Sequence, residues 1–109
     1  MTDSSYKTIK IEGRLDSARV GQIETPFYAQ IGAAKTPADK VLIDMRGVDF
    51  IASLGIRMLV TAGKTLSQRK VGMGILAPAS GAVMEALELA GLTSVFRLFE
   101  SEEQARGAF

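Results

Sequence analysis

The stretch FIASLGIRML, residues 50–59, holds the side chain best placed for chemistry. Ser53 stands between an apolar run and the start of a helical pattern. Three kinds of chemistry suit a serine at such a junction. It can be a helix N-cap, accepting a bond from a free backbone N–H and stabilising the helix by ~1 kcal/mol. The capping box is incomplete, because Ile56 stands three residues on instead of Glu or Gln. It can be a nucleophile: IASLG supplies the Ser and second Gly of a G-x-S-x-G elbow, with Ile51 in place of the first. The chain has no His, so no Ser-His-Asp triad forms within it, and an unactivated hydroxyl is a weak nucleophile. It can be a modification switch. A phosphate on Ser53 adds ~1.5 to 2 negative charges, beside helix N–H groups and a dipole that favour an anion. Gly55 keeps bulk away, and Arg57, four residues on, can reach back to the phosphate.

Other candidate groups carry less. GMGILA, residues 72–77, matches G-x-G-x-x-A. A dinucleotide fingerprint needs those glycines after a strand, opening a helix. Here they lie inside an apolar strand pattern, which points to close backbone packing. Asp44 and Asp49 flank an expected turn and suit turn chemistry. Two carboxylates without further ligands make a poor metal site. Glu100, Glu102 and Glu103 suit the positive end of a closing helix, where Ser101 and Gln104 match a capping box.

The elements that position Ser53 follow from periodicity. YKTIKIEG alternates, with Ile9 and Ile11 on one face, and reads as a half-buried strand. Asp16 and Ser17 are candidate caps for a helix carrying Val20, Ile23, Phe27 and Ile31 on one stripe. Pro26 predicts a kink, or a regular part that begins there. KVLIDM, KVGMGILAP and SVFRLF are short apolar runs of the kind that form buried strands. Residues 54–69 form the clearest helix. Ile56, Leu59, Val60, Gly63 and Leu66 are expected inward, and Leu54, Met58, Thr61 and Thr65 outward beside Ser53. Residues 80–90 predict another helix, with Val83, Leu87 and Ala90 inward and Gly91 ending it. The order β, α, β, α, β, α, β, α predicts an α/β fold: a mixed, mostly parallel sheet of about four strands flanked by about four helices. The first strand is the candidate antiparallel exception. Residues 1–5 are expected to be a flexible N-terminus and 6–109 one domain.

Composition narrows the function. The 109 residues carry a net charge of +1, with 47% hydrophobic and 23% charged residues, as in an ordinary globular domain. No basic run neutralises phosphates, so nucleic acid is not the expected partner. The chain has no Cys, which removes disulfides and thiolate chemistry. No stretch approaches the ~20 apolar residues of a membrane helix, and MTDSSYK lacks an apolar signal region. No membrane insertion and a cytoplasmic setting are the expectation.

A resemblance runs over residues 6–105. It rests on EGRLD (residues 12–16), on KVLIDMRGVDFIASLGIRML (residues 40–59) and on ALELAGLTSVFRLFESEEQA (residues 86–105). These segments resemble the STAS domain of bacterial anti-sigma factor antagonists, and the central one is the most specific. The resemblance implies a non-enzymatic partner switch. The unphosphorylated domain binds an anti-sigma factor that is itself a serine kinase, which frees the sigma factor. Phosphorylation then dissociates the complex, and a serine phosphatase resets it. The family's phosphoacceptor position falls on Ser53. The implied partner surface is Asp16, Asp49, Ala52, Ser53, Leu54, Arg57, Met58 and Thr61. ATP and magnesium belong to the kinase, so no cofactor is expected here. Ala52 stands where phosphorylated members usually carry an acidic residue, and Leu54 where they often carry a small one. Those two residues favour the alternative of a constitutive STAS subunit of a transporter or signalling assembly, in which Ser53 is only a cap.

Overall fold

Strands and helices alternate in the expected order in the computed structural model, which describes residues 6–78 and 80–108. They are β1 (Tyr6–Leu15), α1 (Ser17–Ala33), β2 (Lys40–Ile51), α2 (Ser53–Gln68), β3 (Met73–Leu76), α3 (Ala82–Leu89), β4 (Arg97–Phe99) and α4 (Glu102–Ala108). The sheet order is β1-β2-β3-β4. Every neighbouring pair is parallel, so β1 is not an antiparallel exception. The reason is α1: a helical crossover returns the chain to the start of β2, and a strand entered there runs the same way as the last. The expected flexible segment 1–5 lies outside the described residues.

Alternation along the strands builds two unequal cores. Val41, Ile43 and Met45 of β2 face the larger one, with Val20, Phe27 and Ile31 of α1, Leu59 and Leu66 of α2, and Val83 and Leu87 of α3. Leu42, Leu76, Phe99 and Ala105 make a smaller core under α4. Helix α4 therefore covers the second face from Leu42 of β2 to Phe99 of β4. Over β1 that face is open, which is why Thr8, Lys10 and Glu12 alternate with buried Ile9 and Ile11. Gly74 fits the expected close approach: a Cβ there would stand 2.7 Å from Phe99 Cε2.

Helix α1 corrects one expectation. It runs unbroken through Pro26. Gln22, whose carbonyl loses its i+4 donor to the proline, is exposed, so water can take the missing bond. In α3 only Val83 and Leu87 are buried. Ala90 is exposed, because the helix ends at Leu89 and turns away through Gly91 at φ 74°. A left-handed glycine at that place is an ordinary helix stop. In SVFRLF only the last three residues are strand; Val95 and Phe96 belong to the turn before it.

Strand β2 is twice the expected length, since KVLIDM does not end in a turn. Lys10 pairs with Asp44 but Glu12 with Gly47, and Gly13 with Val48 but Arg14 with Phe50. Each step inserts one extra residue on β2, so the expected turn between Asp44 and Asp49 is a strand with two bulges. Asp44 faces the α4 side at 6% exposure. Arg46 binds it three times at 3.1 Å, through its backbone N–H, Nε and Nη2, and reaches Glu102 at 3.3 Å. This chain of charges ties the start of α4 to the middle of β2. Burial pushes the Asp44 carboxyl up, but bonds from Arg46 and the charges of Arg46 and Lys10 outweigh it and leave it below 3.8. A lowered folded pKa stabilises above the unfolded value and loses that contribution as pH falls through the folded one. Asp44→Asn should therefore cost about 1–2 kcal/mol at neutral pH. It should also flatten the decline in stability below pH ~4. Urea unfolding from pH 7 to pH 2 checks both, and parallel pH profiles for the two proteins would contradict the assignment.

Candidate functional site

The site is built where β1 and β2 end side by side. Leu15 pairs with Ile51, and the Ala52 N–H donates to the Leu15 carbonyl at 2.9 Å. That bond fixes where α2 can begin. The N-cap is Ala52, with extended backbone and no side-chain cap bond. Ser53 is the first helical residue, so it is not the cap that local sequence suggested. It is exposed, and among the described residues no hydrogen bond engages its hydroxyl. The Gly55 and Ile56 N–H groups donate to the Ala52 carbonyl at 2.9 and 3.1 Å. The hydroxyl thus stands exposed on the rim of a helix N-terminus.

Leu54, Arg57 and Thr61 continue the same exposed strip along α2. Leu54 is 40% exposed. Met58 does not join them. It is 1% exposed and belongs to the main core, so its side chain is not offered to a partner. The inward face centres on Gly55, Met58, Leu59, Ala62 and Leu66, leaving Ile56, Val60 and Gly63 on its half-buried flank. Gly55 also has a different reason from the one expected. A Cβ there would stand 2.9 Å from Ile51 Cγ1 and 3.0 Å from Leu15 Cδ2. Its absence lets α2 close onto the two strand ends.

The neighbouring strand end supplies the acidic part. Asp16 caps α1, its Oδ1 accepting from the Arg19 N–H at 2.9 Å. Its Oδ2 lies 3.5 Å from Arg14 Nε. Asp49 is exposed and is the extra residue of the second bulge. Sequence reasoning missed Arg14 and Phe50. The Arg14 guanidinium lies 4.0 Å from the Phe50 ring centre, a cation–π contact that holds the ring at the sheet end. Only the bulged register makes these two partners, and no local pattern announces it. No group of three or more acidic, His or Cys side chains that could hold a metal occurs among the described residues. No described helix is long and apolar enough to cross a membrane.

A four-stranded parallel sheet with helices on both faces, and an exposed serine hydroxyl without a hydrogen bond at the start of α2, define an α/β module. The sequence profile of the STAS domain matches residues 2–105, and the chain belongs to the STAS domain family. It is 30% identical over 99 residues to BtrV of Bordetella bronchiseptica, which is named as a candidate anti-sigma factor antagonist. That match covers 91% of this chain and 82% of BtrV. The fold is similar to the crystal structure of an anti-sigma factor antagonist from Mycobacterium paratuberculosis, with a TM-score of 0.83 at 21% identity, covering 99% of this chain and 88% of that one. It is also similar to the phosphorylated form of SpoIIAA from Bacillus, with a TM-score of 0.68 at 21% identity, covering 100% and 96%.

Proposed function

We propose that this domain is an anti-sigma factor antagonist. It binds an anti-sigma factor that is a serine kinase, and phosphorylation of Ser53 switches that binding off. The observation that carries this reading is the Ser53 hydroxyl: exposed, unbonded and first in α2, with Leu54 and Arg57 beside it. A structural cap would use its oxygen on the backbone, and this one does not. Family membership and the name of BtrV support the same reading. Asp16, Asp49, Ala52, Leu54, Arg57 and Thr61 form the partner surface around Ser53; buried Met58 is no longer part of it. The domain performs no catalysis in this scheme. The kinase and a serine phosphatase act on it in the cytoplasm, and a chain without His offers Ser53 none of the commonest general base.

Mass spectrometry of the peptide spanning residues 47–57, from protein isolated from its own host under several growth conditions, tests the proposal. A phosphate on Ser53 whose occupancy changes with condition is the expected result. An unmodified peptide under every condition, at full coverage, would leave a constitutive STAS binding subunit as the better reading.

A further inference from the structure

A second candidate site lies at the far end of α2 from Ser53. A groove of about 770 Å³ opens between the last turns of α2, the start of β3 and the turn before β4. That volume is within the usual range of small-molecule sites, ~300–1,000 Å³. Val60, Met73, Leu92 and Phe96 give it an apolar floor. Gly63 keeps it open. A Cβ there would stand 2.5 Å from Phe96 Cε1, so a side chain at 63 would displace the Phe96 ring from its present place.

The rim is cationic. Lys64, Lys70 and Arg97 line the groove and no acidic residue does. Among the described residues, none of these three side chains forms an ion pair or hydrogen bond. Lys70 is also held at a cost. It has φ 60° in the turn that ends α2, where the Val71 N–H donates to the Leu66 carbonyl at 2.8 Å. Glycine is the usual residue at that position because it alone adopts it freely. A lysine kept in a glycine conformation at the mouth of an apolar groove exchanges stability for a placed charge.

We propose that this groove binds a free amphiphilic monoanion, an aliphatic chain on the floor with its carboxylate among Lys64, Lys70 and Arg97. Charge complementarity selects the head group, and the recessed floor selects the chain. Val71, Met73, Leu92 and Phe96 are buried inside, and Val95 at the lip is the one large apolar lining residue that stands well out into water. A membrane surface would engage outward apolar groups instead. The site is independent of the Ser53 reading.

The test titrates the full chain with decanoate below its micelle concentration, by calorimetry and amide chemical shifts. Saturable one-to-one binding is expected, with shifts at Gly63, Val71, Val95 and Phe96. Lys70→Gly and Arg97→Gln should each weaken it about 2–5-fold, the range of an exposed charge pair. Lys70→Gly should also raise Tm, which separates loss of binding from loss of fold. Decanol and decyltrimethylammonium should bind far more weakly, and Ser53→Asp should bind as the wild type does. Equal affinity for decanol, unaltered binding by both rim variants, or no saturation would overturn the proposal. So would a chain that ignores monomeric decanoate yet sediments with phosphatidylglycerol vesicles, which would make this face a membrane contact.

Discussion

Met58→Ala should destabilise the domain by about 2–5 kcal/mol, while Met58→Leu should cost less than about 1.5 kcal/mol. The expectation comes from burial. Met58 is 1% exposed and packs in the main core. Truncation removes its transfer energy and leaves a cavity that α2 cannot readily close, because its neighbours on the inward face are small: Gly55 and Ala62. A domain of this size is stable by only ~5–15 kcal/mol in total, so such a loss is a large fraction. Urea unfolding with an unchanged m-value measures it. The result also decides what kind of residue Met58 is. A surface contact would lose partner affinity and keep its unfolding midpoint. An unshifted midpoint for Met58→Ala would return Met58 to the partner surface and rotate α2 with it.

The rotation of α2 shows how far a sequence carries a site. Periodicity identifies the helix, because apolar residues recur every three or four positions. It does not fix the phase when the stripe is wide. Ile56 and Val60 are half-buried on one flank and Met58 is fully buried on the other, and side-chain type alone ranks the isoleucine above the methionine. The same limit applies at Ser53. A serine at a strand–helix junction is a good cap on propensity. The cap is Ala52 instead, because a tertiary bond from its N–H to Leu15 sets the start of the helix. Strand β2 was legible as far as Met45, where the apolar run ends. Its second half carries Arg46, Gly47 and Asp49, which read as a turn. They remain in the sheet because the second face is open there and two bulges turn them to water. The order of elements, the apolar side of α1 and the close approach at Gly74 needed only local patterns, and the structure agrees with them.

On the proposed function, Ser53→Asp should weaken kinase binding about tenfold or more, full phosphorylation about 100-fold or more, and Ser53→Ala hardly at all. The asymmetry follows from position. Within the free domain the charge is tolerated: it sits at a helix N-terminus, worth about 0.3–1 kcal/mol in favour of an anion, and Arg57 lies one turn on along the exposed strip. In a complex the same charge is carried under the partner next to half-exposed Leu54, where it must be stripped of water or hold the surfaces apart. The free and bound states therefore respond with opposite sign, and a modification with little effect on the fold acts strongly on the complex. Arg57→Ala separates the two. It should leave the affinity of the phosphorylated domain low while removing any gain in its thermal stability, because the arginine can compensate the phosphate only inside this chain. Calorimetry of the three Ser53 forms against the purified kinase, beside their unfolding curves, measures both sides. If the phosphorylated domain bound as tightly as the unmodified one, with its fold intact, Ser53 would be a modified residue but not the switch.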